Sequence, residues 1–124
     1  MTRASELGRR AEDHAAAYVA SLGWEIIGRN VSGRYGELDI VAMDPAADEL
    51  VVVEVRCRTI GRVQSPVASV GPRKLRTLTD AGRSFVDDMG WDGPWRIDLI
   101  GITAGRSPSE AEWHLEHVHD ITSG

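Results

Sequence analysis

At 124 residues with a single cysteine, Cys57, the chain is long enough to bury one core, too short for two, and unable to close an internal disulfide. No apolar run approaches the ~20 residues that span a bilayer, and the opening MTRASELGRRAED lacks the apolar segment of a secretory signal, so one cytoplasmic domain over 1–124 without membrane contact is the expectation. The net charge of −5 argues against a nucleic-acid partner, yet residues 36–55 carry six acidic side chains and no basic one, while residues 56–83 carry seven basic and one acidic.

Leu7, Ala11, Ala15, Tyr18 and Leu22 recur at helical spacing, with Ser5 placed to cap a first helix and Gly23 to end it. Glu12 falls on the flank of this stripe and borders the core. WEIIGRN reads as a first strand and VSGRYG as a turn. ELDIVAM reads as a second strand, with Glu37, Asp39 and Val41 on one face and Leu38, Ile40 and Ala42 on the other. DPAADE has the turn chemistry to close a hairpin with LVVVEVRC. That third strand sets Val52, Glu54 and Arg56 on one face against Val51, Val53 and Val55, and Cys57 reads as a small core residue.

After the loop RTIGRVQSPVASVG, Pro72 suits the start of a second helix whose stripe is Leu75, Leu78, Ala81, Phe85 and Met89, with Gly90 at its end. WRIDLIGI and EWHLEHVH read as two further strands joined by the polar TAGRSPSEAE. The order α-β-β-β-α-β-β belongs to an α/β domain with a central mixed sheet flanked by helices, the second helix crossing over to add a parallel strand.

Asp39 and Glu54 sit on adjoining strands. If the register sets them opposite each other, they repel unless one holds a proton, Arg56 bridges them, or a divalent cation lies between them. Mg²⁺ or Mn²⁺ would suit such an oxygen pair. A two-pronged Arg56–carboxylate pair that neutralises a buried charge is the plainer arrangement. His117 and His119 share a strand face at a spacing zinc uses, but with no Cys or third His beside them they read as a satisfied or exposed strand edge. Trp91 and Trp95 could stack on bases and read more simply as core.

The segments GRRAEDHAAAYVASLGWEIIGRN, GELDIVAMD, LVVVEVRCR, VGPRKLRTLTDAGRSFV and WRIDLIGI, in this order and spacing, resemble the YraN family of predicted endonuclease-like proteins over nearly the whole chain. That family is similar to the restriction-endonuclease-like superfamily, archaeal Holliday-junction resolvases among them. There, an acid from the first helix, an Asp from the second strand and a Glu-x-Lys on the third build a site for Mg²⁺-dependent phosphodiester hydrolysis. The resemblance implies a restriction-endonuclease-like fold, with Glu12, Asp39, Glu54 and Arg56 as the catalytic positions. Asp39, Glu54 and the backbone carbonyl of Val55 would be the metal ligands.

The position expected to hold lysine holds Arg56, which keeps its proton and can only orient phosphate or stabilise negative charge. Arg58, Arg62, Arg73, Lys74 and Arg76 would follow the backbone of DNA or RNA, in a structured or branched substrate. Symmetric cleavage of a branch would require a homodimer. Asp98 matches a family position, as an acid behind the site or as the partner of Arg96. Two other readings stand beside the nuclease: a module of the same fold that binds nucleic acid without chemistry, and a protein-interaction domain.

Overall fold

In the computed structural model, which describes residues 3–61, 65–107 and 109–122, the elements follow the expected order. They are α1 (Arg3–Ser21), β1 (Glu25–Gly33), β2 (Gly36–Asp44), β3 (Glu49–Thr59), α2 (Pro72–Met89), β4 (Trp95–Ala104) and β5 (His114–Val118). Arg62 lies outside the described residues. α1 begins at Arg3, ahead of the expected cap at Ser5, and turns out of its last helical bonds at Gly23, whose φ of +86° favours glycine. α2 starts with Pro72 after the N-cap Gly71, where the missing N–H of proline leaves no helical bond unmade. No helix among the described residues is long and apolar enough to cross a membrane.

The sheet has the order β1-β2-β3-β4-β5. All neighbours are antiparallel except β3 and β4, which α2 joins as a parallel pair. Each helix covers one face. Ala11, Ala15, Ala16 and Val19 of α1 pack on Ile40, Ala42, Val51, Val53, Ile100 and Ile102. The α2 side chains Leu78, Ala81 and Val86 pack on Leu38, Val41, Leu50, Val52 and Ile97. The apolar stripes are shorter than their periodicity suggests, since Leu22 and Met89 at their ends are exposed. Trp95 and Trp91 pack against the α2-side core, as their plainer reading had it.

α2 lies close to the sheet at Gly82, where an added Cβ would stand 2.6 Å from Cζ3 of Trp95. Gly82→Ala should therefore lower stability by about 1–3 kcal/mol through overpacking, despite alanine's better helix propensity. A urea midpoint equal to or above wild type would show that the helix can lift off the indole without loss.

Two features depart from the sequence reading. VSGRYG is not a six-residue turn: Val31, Ser32 and Gly33 pair with Leu38, Glu37 and Gly36, and only Arg34 and Tyr35 turn the chain. Second, the alternation of β2 breaks at Asp39. Leu38 and Val41 both join the α2-side core, and Ile40 and Ala42 the α1-side core. Across the break, Asn30 of β1 takes a left-handed φ of 50°, which Asn tolerates better than most residues. The β2–β3 ladder ends at the same place, running only from Asp44 opposite Glu49 to Ile40 opposite Val53. β3 continues to Thr59 against β4 alone. The sheet is thus forked, with Asp39 on one prong and Glu54 on the other.

Candidate metal centre at the fork of the sheet

Where the ladder stops, a side chain takes over from the backbone. Oδ2 of Asp39 accepts the N–H of Val55 at 2.9 Å, satisfying a donor that a further residue of β2 would otherwise have bonded. Because a strand residue's N–H and C=O leave on the same side, the Val55 carbonyl faces the same open edge. Glu54 is only 5% exposed. Burial, then the charge of Asp39 and a hydrogen bond shared with its carboxyl, push the Glu54 carboxyl up to about 7, against the lowering influence of Lys74 and Arg56. The raised Glu54 carboxyl favours the first of the three solutions open to two neighbouring carboxylates, a proton kept by one of them.

Arg56 does not bridge the two acids with both prongs. Its Nη2 stands 3.2 Å from Oε2 of Glu54, and Nζ of Lys74 stands 3.8 Å from the same oxygen. The Nε of Arg56 is buried and has no hydrogen-bond partner among the described residues. A buried donor without an acceptor costs about 1–3 kcal/mol, so a purely neutralising role leaves this geometry unexplained.

Glu12, Asp39, Val55, Arg56 and Cys57 line one cavity beneath the first turns of α1. The helix thus brings its acid to the cavity of Asp39, Val55 and Arg56, while Glu54 is not among the residues that line it; Oε1 of Glu12 is engaged by Asn30 Nδ2 at 2.8 Å and Arg29 Nη2 at 3.2 Å. Cys57 is half-buried, packs on the α1-side core, and has its thiol pushed up by burial, which keeps it a neutral wall of the cavity.

Of the basic side chains, Arg56 and Lys74 reach Glu54. Arg58 continues the face of Glu54 and Arg56, donating from Nε to Oγ1 of Thr103 at 3.2 Å, while its buried Nη1 has no partner among the described residues. Arg73, Lys74 and Arg76 occupy the first turns of α2, Arg73 and Arg76 exposed. The helix N-terminus adds its own positive end there.

A second polar cluster lies on the α1 side. Asp98, fully buried, accepts from Arg96 Nε at 2.9 Å and Nη2 at 3.2 Å, from the Asp120 N–H at 2.8 Å, and contacts His117 Nε2 at 2.8 Å. Arg96 in turn reaches Glu49 at 2.5 Å. Burial alone would raise the Asp98 carboxyl. The hydrogen bonds from His117, Arg96 and the Asp120 N–H, with the Arg96 charge, outweigh it and hold the group below the usual carboxylate range. Asp98 is therefore the partner of Arg96, as one of its two sequence readings had it. His117 is satisfied on both ring nitrogens, the other contact being Tyr18 Oη at 3.0 Å.

Sequence reasoning missed that β4 lies beside β5, which adds an acid to the two histidines. Asp98, His117 and His119 each offer a ligand atom, all within 4.8 Å of one another, a group that could hold a metal. The only signal was the Asp in WRIDLIGI, and nothing local linked it to EWHLEHVH.

Comparison with known proteins agrees with the motifs. The profile of the uncharacterised protein family UPF0102 matches residues 11–102, which include every residue of the fork. A UPF0102 protein of Mycobacterium sp. (strain JLS) is 40% identical over 120 residues, covering 94% of this chain and 87% of that protein. Another from Marinobacter nauticus is 44% identical over 103 residues, covering 82% of each chain. A third, from Streptomyces griseus, is 38% identical over 120 residues, covering 95% of this chain and 99% of its own. With a profile match over most of its length and relatives aligned almost end to end, this chain belongs to the UPF0102 family.

Proposed function

We propose that the protein is a divalent-metal-dependent nuclease that hydrolyses phosphodiester bonds in DNA or RNA, preferring structured or branched substrates. The observation that carries this reading is Asp39 and Glu54 on the two prongs of the fork, where burial and the charge of Asp39 push the Glu54 carboxyl up to about 7 and a hard cation could relieve both acids. Their oxygens and the Val55 carbonyl fit Mg²⁺ or Mn²⁺, which want oxygen ligands and leave positions for phosphate or water. A bound Mg²⁺ or Mn²⁺ supplies Lewis-acid polarisation of the phosphate and a more acidic water. Asp39 and Glu54 would hold the ion, and Glu12 would orient the attacking water from the helix side of the cavity. Arg56, 34% exposed along its side chain, would set its guanidinium charge against the phosphoryl oxygens as charge grows on them. Arg58, Arg73, Lys74 and Arg76 would hold the flanking backbone electrostatically.

Calorimetric titration with Mn²⁺ tests the centre. Wild type should bind at the fork, and Asp39→Asn should weaken that binding at least tenfold. Equal affinity in both proteins would remove the fork from consideration as a metal site. Anisotropy with branched, duplex and single-stranded oligonucleotides tests the basic face. Binding should fall with salt, and each of Arg73→Ala and Arg76→Ala should flatten the log–log slope by roughly 0.7–0.9.

One observation favours a second reading, binding without chemistry: an arginine stands where the related nuclease sites carry lysine, and it cannot give up its proton to activate water. Arg56→Lys separates the two. Cleavage with Mn²⁺ that persists or rises in Arg56→Lys, and vanishes when Glu54→Gln is added, identifies the nuclease. Salt-dependent binding with no cleavage in any variant identifies the binding module.

A further inference from the structure

We propose that Asp98, His117 and His119 form a second metal site, one for a zinc-class divalent ion, separate in place and in chemistry from the oxygen-lined fork. The ligand atoms already stand near the required spacing. Nε2 of His117 lies 2.8 Å and Nδ1 of His119 3.7 Å from Oδ2 of Asp98. Ligands bonded at ~2.0–2.1 Å around a tetrahedral ion sit about 3.3 Å apart, which falls between these two separations, and all three ligand atoms lie within 4.8 Å of one another, so the imidazoles would close on the ion as it binds. The two imidazoles are stacked, with centroids 4.0 Å apart and planes 22° from parallel, and both present a nitrogen to the same carboxylate oxygen.

The surroundings hold two of the three ligands in place, His117 and Asp98. In the metal-free chain His117 Nε2–H donates to Asp98; on binding, Tyr18 Oη, 3.0 Å from Nδ1, can accept an Nδ1–H, so that Nε2 gives up its proton and turns its lone pair to the ion. Asp98 is fixed by Arg96 Nε and the Asp120 N–H on Oδ1, with only the longer 3.2 Å contact from Arg96 Nη2 sharing Oδ2 with the histidines. Arg96 does not make the site positive, because Glu49 balances it. With neutral imidazoles, Asp98, Glu49 and Arg96 sum to one negative charge, which favours a cation. Two nitrogens and one oxygen select zinc, cobalt or nickel over magnesium. His119 is 63% exposed, so the ion would keep an open position toward solvent for water or an outside ligand. Bound there, it would tie the edge strand β5 to β4.

The test uses the full, metal-free chain and Zn²⁺ itself, titrated against a chromophoric chelator, with Co²⁺ as a spectroscopic substitute. One equivalent should bind, raise the thermal midpoint and, for Co²⁺, give the intense visible bands of a four-coordinate ion. His119→Ala, a change at an exposed side chain that should leave the fold intact, should weaken Zn²⁺ at least tenfold. His119→Cys should retain binding and add a thiolate-to-cobalt band. His114→Ala, on the same strand, and Asp39→Asn, at the fork, should bind Zn²⁺ as wild type does. Absence of a one-to-one complex, undiminished affinity in His119→Ala, or loss of binding in Asp39→Asn would each overturn the proposal. The last of these would place the zinc at the fork.

Discussion

Asp98→Asn should lower the folding stability by about 3–5 kcal/mol, a large part of the ~5–15 kcal/mol typical of a domain. The carboxylate is fully buried and receives both prongs of Arg96, the Asp120 N–H and His117. An amide keeps the size but removes the charge, and its NH₂ faces donors where the carboxylate offered an acceptor. Arg96, only 12% exposed along its side chain, would keep Glu49 as its one carboxylate partner.

The sign of the pH effect follows from the lowered Asp98 carboxyl. Its contribution is fully present above the ordinary carboxylate pKa and is lost as pH falls through the depressed folded value, so wild type should show an acid limb that Asp98→Asn lacks. Guanidinium midpoints of wild type, Asp98→Asn and the paired Arg96→Met/Asp98→Leu would check it. The paired change should recover much of the loss, because no lone charge stays buried. A loss below about 1 kcal/mol in Asp98→Asn would mean that the network contributes little to stability.

Glu54→Gln should act in the opposite direction in metal-free protein, and at the other end of the pH scale. The Glu54 carboxyl titrates near 7 when folded, against an ordinary 4.5. Between these values the folded chain holds a proton that the unfolded chain has released. The stabilisation is therefore complete below about 4.5 and is lost as pH rises to about 7. At about 1.4 kcal/mol per unit, the loss is on the order of 3 kcal/mol. Glu54→Gln carries no such charge, so it should be the more stable protein above pH 7 and should show a flat profile where wild type declines. Mn²⁺ added above pH 7 should restore wild type by replacing the missing proton, and should do nothing for Glu54→Gln. Chemical denaturation across pH 4–8 with and without Mn²⁺ measures all of this. Parallel profiles for the two proteins would show that the carboxyl pair is not under strain.

Both effects arise from residues whose identity was plain in the sequence and whose neighbours were not. Periodicity alone determined that α1 and α2 are helices and that β3 turns Glu54 and Arg56 to one face. It also showed that a helix must intervene before a parallel β4. These are consequences of a 3.6 or a 2.0 repeat, which each segment carries within itself. The acids Glu12, Asp39 and Glu54 were legible as a set through their motifs, and so was the arginine in the lysine's place.

The fork was not legible, because alternation assigns faces only while a ladder continues. Where this one stops depends on a contest between a backbone acceptor and the Asp39 carboxylate for one N–H, that of Val55. It depends also on Asn30, one strand away, taking a left-handed turn of the backbone. Neither appears in the local pattern of GELDIVAMD. The grouping of Asp98 with His117 and His119 was hidden for a related reason. Leu99 pairs with Val118 and Ile100 with His117 only once β4 and β5 lie side by side, and no spacing within either segment encodes that register. The chain determined which groups could do chemistry, because side-chain type is local. Tertiary structure decided which of them meet, because a carboxylate's partners and proton are set by whatever the fold buries beside it.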